Sequence, residues 1–340
     1  MDTIKMHDLA VGDVLLYKGT SFISRAIQFF DGTDFSHAAL YLGNGSVGEA
    51  VATGLERRPY VEGAAGIWVQ AHRLKDSVPT MDPVMSVATA YLDQGNRYGY
   101  EQLLLLAFLC LTRKLKFTPS LRQLVRVVLD SAAAALTRLF SEHRQPMICS
   151  EFVYRVYDEA LPGPDDVYSL WVNRLVAPGA APLRAFSAEP AGMPPLAPAR
   201  GQGIHPQSLL ALLSSSSGSA WLGAPAVPAF AAEAEIESSV AELESLVETY
   251  LEEVRTGPPA APRALAASEP TLEDLRAAAA AFAASFYAST HPEESQLRAL
   301  SAPEMTALAN AYLAQTAADF VTPGDLYTTQ SLYLLGKVEL

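Results

Sequence analysis

Two cysteines and six histidines carry the nucleophilic and proton-transfer chemistry open to this 340-residue chain. The cysteines are Cys110 and Cys149; the histidines are His7, His37, His72, His143, His205 and His291. A catalytic thiol must ionise near neutral pH, and a helix N-terminus and a neighbouring imidazole both favour the thiolate. Cys149 follows Pro146-Met147-Ile148 and opens an amphipathic stretch with Phe152, Val153, Val156, Tyr157 and Ala160 on one stripe. That spacing predicts a helix with Cys149 at its start, whereas Cys110 sits inside an apolar run. The competing account of Cys149 is a buried, inert thiol.

The base must come from elsewhere in the fold. His37 begins the strand-like run His37-Ala38-Ala39-Leu40-Tyr41-Leu42 among small and apolar neighbours, and is the leading candidate; the alternative is a satisfied core or edge histidine. His72 also falls on a strand, beside Arg73, in a setting that reads as ordinary sheet packing. His143 is near Cys149 only in sequence. Glu49 lies on the strand joined to that of His37 through Asn44-Gly45, a strong hairpin signal, and its carboxylate could orient the imidazole. An exposed strand glutamate is the plainer reading.

Several elements must position these groups. Gly12 to Tyr17 reads as a buried strand, Ser21 to Phe30 as a helix ending at Asp31-Gly32, and His37–Leu42, Ser46–Ala50 and Gly66–Leu74 as strands. Pro83–Leu92, Tyr98–Thr112 and Ser120–Phe140 read as helices, the second nearly all apolar and the third basic on its polar side. Ala177–Gly203, rich in Pro, Ala and Gly, and the serine tract Ser214–Ser219 read as linker or loop. Ile236, Val240, Leu243, Val247 and Leu251 form a narrow helical seam, Thr271–Tyr287 is an Ala-rich helix, and Ser301-Ala302-Pro303-Glu304 opens another to about Ala318.

The order of short motifs resembles the circularly permuted NlpC/papain-like thiol hydrolases, a group that includes the YiiX/YaeF-like amidases and is related to lecithin:retinol acyltransferase. The resemblance rests on Gly12-Asp13-Val14-Leu15-Leu16, Phe35-Ser36-His37-Ala38-Ala39-Leu40-Tyr41-Leu42-Gly43, Gly48-Glu49-Ala50, Asn96-Arg97-Tyr98-Gly99-Tyr100, Ile148-Cys149-Ser150-Glu151-Phe152-Val153 and Val321-Thr322-Pro323-Gly324-Asp325-Leu326. It covers about residues 10–165 and 318–340. It implies Cys149 as nucleophile, His37 as base and Glu49 as orienting residue, with Tyr17, Tyr98 and Ser150 as substrate-pocket candidates. The lecithin:retinol acyltransferase relatives place a second histidine near the position of Glu49, so Glu49 agrees instead with the YiiX-like branch.

The expected fold is α+β, a permuted papain-like domain with a small antiparallel sheet packed on helices and an inserted helical region. The expected boundaries are 1–175 plus 318–340 for the catalytic domain, 176–230 for a linker or loop and 231–317 for an inserted helical bundle. The expected activity is that of a cysteine hydrolase, an amidase or peptidase on the one hand or a lipid acyl hydrolase or acyltransferase on the other. The alternative is a non-catalytic partner-binding protein that keeps the fold and works through its acidic insertion.

Composition narrows the partners. A net charge of −13 argues against nucleic acid as the main partner. Residues 113–144 are basic and 233–253 acidic, so the two could pair with each other or face different partners. The expected contacts are a peptide-amide or lipid/acyl substrate, a peripheral membrane surface through 113–140 and a protein partner through 231–317. No cofactor and no metal are expected, since His and Cys do not fall at ligand spacings. Without a signal peptide or a transmembrane run, the expected location is cytoplasmic or peripheral to a membrane, unless a specialised system exports the chain.

Overall fold

The computed structural model describes residues 2–51, 53–61, 66–94, 97–98, 101–114, 118–141, 145–161, 167–172, 208–215, 233–256, 269–291 and 302–339. Seven of its strands form one sheet: β1 (Thr3–Ile4), β2 (Val14–Gly19), β3 (His37–Gly43), β4 (Ser46–Val51), β5 (Gly54–Pro59), β6 (Gly66–Leu74) and, from the far end of the sequence, β9 (Leu332–Val338). The two-residue strands β7 (Arg97–Tyr98) and β8 (Gln145–Pro146) pair separately and in parallel. The helices are α1 (Phe22–Asp31), α2 (Asp82–Gln94), α3 (Glu101–Thr112), α4 (Pro119–Ser141), α5 (Cys149–Asp158), α6 (Leu209–Ser215), α7 (Glu233–Thr256), α8 (Leu272–Thr290), α9 (Ala302–Asp319) and α10 (Pro323–Thr328). The chain is therefore mixed α and β.

The large sheet runs β1-β9-β6-β2-β3-β4-β5, antiparallel except for the parallel β1–β9 pair. Its central strands are continuous apolar runs because both faces are covered. Val14, Leu16, Ala38 and Leu40 belong to the main core, while Leu15, Tyr17, Ala39 and Tyr41 form a second cluster with Val47, Val69 and Ala71. Asn44 and Gly45 both take positive φ, 52° and 74°, which gives the tight β3–β4 turn.

Helix α3 is buried along nearly its whole described length, as its uniform apolarity requires. It packs on α1 and α4, and α4 in turn packs on α7 and α8. Phe108 of α3 lies against Phe282 and Phe286 of α8 and stacks on Phe320 at 4.5 Å. One core thus runs from the sheet through α3, α4 and α5 into α7, α8 and α9. Along the α7 seam, Leu243 and Val247 are buried and Leu251 packs against the core; the side chains of Ile236 and Val240 lie outside the described residues.

Arg122 and Arg126 of the basic helix pair with Glu269 and Asp274 at 3.2 Å each, and Arg25 of α1 pairs with Glu248 of the acidic helix at 3.0 Å. These opposite charges meet within the chain. Among the described residues, no helix is long and apolar enough to cross a membrane.

Two differences from the sequence expectation concern boundaries. The apolar helix begins at Glu101, because Arg97 and Tyr98 pair with Gln145 and Pro146 instead of joining it. Within the expected linker 176–230, residues 208–215 are described and carry α6; the remainder, including Ala177–Gly203, lies outside the described residues. The helix expected from Ser301-Ala302-Pro303-Glu304 to about Ala318 is α9, which runs from Ala302 to Asp319; Ser301 itself lies outside the described residues.

Candidate active site

Cys149 is the first residue of α5, and Ile148 before it is extended (φ −97°, ψ 148°) with no side chain capping the helix. Ile148 offers the first-turn amides no side-chain acceptor, and the positive end of the helix dipole falls at the thiol. Helix α5 lies across β3 and β4. The absence of a side chain at Gly48 permits that approach, since a Cβ there would stand 3.3 Å from the Phe152 ring. At the far end of α5, Tyr157 donates its hydroxyl to the carbonyl of Gly12. Midway, Arg155 is buried between Glu151 of the same helix (2.8 Å) and Glu159 at its C-cap (3.0 Å).

His37 is the first residue of β3, paired with Tyr17 of β2. Beyond the Leu40–Gly48 pair, β3 keeps its ladder with β2 and β4 keeps its ladder with β5. Glu49 reaches His37 by its side chain, with Oε2 2.7 Å from Nε2. With the carboxylate accepting, Nε2 carries the hydrogen and Nδ1 is the basic nitrogen. Nδ1 is buried and makes no hydrogen bond among the described residues.

The proton affinity of His37 is raised well above the ordinary imidazole range. Burial opposes the charged ring, but Cys149 and then Glu49 outweigh it. Cys149 acts on the ring as its close neighbour. Cys149, His37 and Glu49 are 0%, 1% and 0% exposed, so the three stand in a low-dielectric interior and not on an open surface.

The remaining pocket candidates fall differently. Tyr17 is fully buried, its ring 5.6 Å from that of His37 and its hydroxyl donating to Tyr60 O at 3.3 Å. Burial, then Glu49 and Tyr60, push its phenol well above the ordinary range. Tyr17 therefore packs against the imidazole from the neighbouring strand. Ser150 is buried and donates to the carbonyl of Val321 at 2.8 Å, which ties the start of α5 to the segment before α10. The side chain of Tyr98 lies outside the described residues, as do His143 and His205. Among the described residues, no group of three or more His, Cys, Asp or Glu side chains could hold a metal ion.

No protein-family model matches the chain. No curated protein matches it either. Among solved structures, the crystal structure of the metalloprotein yiiX from Escherichia coli O157:H7, DUF1105, aligns with 21% identity and a TM-score of 0.27. The alignment covers 44% of this chain and 66% of that one, so this chain spans just under two thirds of that protein's length.

Two features escaped the sequence reading. Arg58 on β5 brings Nη1 to 3.7 Å from Glu49 Oε1; nothing in Arg57-Arg58-Pro59 distinguishes one arginine from the other before the register is known. The second is the role of Thr322 to Asp325. Thr322 and Asp325 form a capping box at the start of α10, and Asp31 accepts from Thr322 Oγ1 (2.8 Å), Gly324 N (2.7 Å) and Arg113 Nη2 (2.8 Å). The Thr-x-x-Asp spacing was there to signal the cap; Asp31, 291 positions from Thr322, gave no local signal.

Proposed function

We propose that this protein is a cysteine-dependent hydrolase or acyltransferase of the permuted papain-like kind. One observation carries the reading: a thiol at an uncapped helix N-terminus stands beside an imidazole whose other nitrogen is held by a buried carboxylate. In this mechanism His37 Nδ1 takes the thiol proton, and the Cys149 sulfur attacks the carbonyl carbon of an amide, ester or thioester. The carbonyl π electrons move to oxygen, where the N-terminal amides of α5 stabilise the charge. Collapse expels the leaving group, which takes the proton from His37 and leaves a thioester on Cys149. Water, or another nucleophile in the acyltransferase case, gives a proton to His37 and attacks the thioester; the acyl product departs and the sulfur recovers the proton. Glu49 holds the ring and offsets the imidazolium charge.

Burial of Cys149 favours a second reading, a non-catalytic protein that retains the fold. Alkylation separates the two. On the first reading, iodoacetamide at pH 7 modifies Cys149 at least about tenfold faster in the native chain than in the His37→Gln variant. Cys110, whose thiol burial pushes far up, serves as the unreactive internal control. Equal, slow modification of both thiols in native protein would remove the enzymatic reading.

A further inference from the structure

Glu49 commits one carboxylate oxygen to His37 and leaves the other without a hydrogen bond among the described residues. Oε1 is buried among the described residues, and the positive group facing it is the guanidinium of Arg58, at 3.7 Å. In the β4–β5 register Glu49 stands opposite Glu56, and Val47 stands opposite Arg58. Arg58 is thus diagonal to Glu49 on the same sheet face, close enough for a long side chain to reach. The strand β5 is an edge strand, and the Arg58 side chain remains 31% exposed. The guanidinium therefore keeps part of its hydration while acting on a carboxylate that has none.

We infer that Arg58 is a positioning residue, which draws on Glu49 Oε1 and so keeps Oε2 against His37. The inference rests on the proposed role of the His37–Glu49 pair. Several groups bear on this carboxylate from the surrounding elements: His37 on β3, Tyr17 on β2, and Glu56 and Arg58 on β5. Beyond them, Tyr60 follows β5 and faces Tyr17, and Cys149 of α5 faces His37. Of these, Glu56 is a like charge and repels Glu49, while Tyr17 gives its hydroxyl hydrogen to Tyr60 O instead of to Oε1. Without Arg58 a buried carboxylate would carry one unpaired oxygen beside a like charge, and rotation toward solvent at the sheet edge would relieve both.

The test is a titration of His37 in the full chain labelled with [13C]histidine, its resonance assigned by loss in His37→Gln. A positioning role and a simple through-space charge predict opposite signs. If Arg58 holds Glu49 in place, Arg58→Met releases the carboxylate and the His37 midpoint falls, by about one pH unit. Arg58→Lys, which keeps a cation in reach, restores most of it. If Arg58 acts only as a nearby positive charge, its removal raises the midpoint, and a raised or unchanged value overturns the inference. Arg58→Gln provides the same comparison if the methionine variant fails to fold. The readout is independent of thiol reactivity, so an inert Cys149 would remove the proposed function and leave the placement of Glu49 to be decided on its own.

Discussion

The backbone N–H of Gly324 donates to Asp31 Oδ2 at 2.7 Å, joining residues 293 positions apart. The same carboxylate accepts from Thr322 and Arg113, so one aspartate at the end of α1, its side chain 1% exposed, gathers the residue after α3 and the start of α10. From there Val321 reaches Ser150, next to the proposed nucleophile. The junction and the start of α5 form one connected unit.

Gly324→Ala should disrupt that unit. An added Cβ would lie 2.5 Å from Asp31 Oδ2, closer than real Cβ contacts come, so the carboxylate would have to move. We expect a loss of about 1–3 kcal/mol in urea unfolding, as for other overpacked sites. An unchanged midpoint and slope would show that the junction yields freely.

Ser150→Ala removes the donor to a buried carbonyl. The expected loss is about 1–3 kcal/mol, the range for a stranded acceptor. Cys149 alkylation should slow in parallel, because the first turn of α5 loses its tie to the Val321 segment. A variant that loses stability yet alkylates at the native rate would separate the junction from the thiol.

His72 sets an acid limit. Burial lowers its pKa from 6.5 to about 4, so the folded protein favours the neutral ring. Its contribution to stability is complete above about pH 6.5 and is lost as pH falls toward 4, about 3 kcal/mol in all. Urea midpoints of native protein and His72→Gln should therefore diverge between pH 7 and pH 4, with the variant showing the flatter profile.

His37 has the opposite sign. Its pKa is raised in the folded state, so its stabilising effect is complete below the unfolded value of about 6.5 and is lost as pH rises through the folded value. Glu49→Gln should shrink this alkaline loss by removing one cause of the raised proton affinity. A stability profile between pH 7 and pH 10 identical in both proteins would show that Glu49 does not support the charged ring.

Arg155→Met should be among the most damaging substitutions in α5. It would leave Glu151 and Glu159 buried with their shared cation gone. A loss of about 3–5 kcal/mol is expected from urea unfolding, the range for breaking a buried ion pair from one side. A loss under 1 kcal/mol would mean that water or rearrangement replaces the guanidinium.

The sequence exposes elements whose signals are local. Asn44-Gly45 announces the hairpin that brings Glu49 back beside β3, and the apolar stripe after Ile148 announces α5 with Cys149 at its head. The strand β5 is harder to see, since Leu-Glu-Arg-Arg alternates weakly and lies at the sheet edge. The strand β9 is invisible locally, because its identity comes from β6 and β1, hundreds of residues upstream. The same reason hides Arg58 and Asp31: each matters through a partner that only register or tertiary packing supplies. Ser150 shows the converse: named as a substrate-pocket candidate, it has its hydroxyl engaged by the Val321 carbonyl.

The place of β9 between β6 and β1 has a consequence for synthesis. His37, Glu49 and Cys149 all leave the ribosome long before residues 321–338, which fasten α5 and close the gap between β6 and β1. A nascent chain holding all three would still present an unpaired edge on β6 and a loosely held α5. The thiol would assume its final surroundings only once residues 321–338 have joined the sheet and the α5 junction, and until then the growing chain leaves a strand edge open to mispairing.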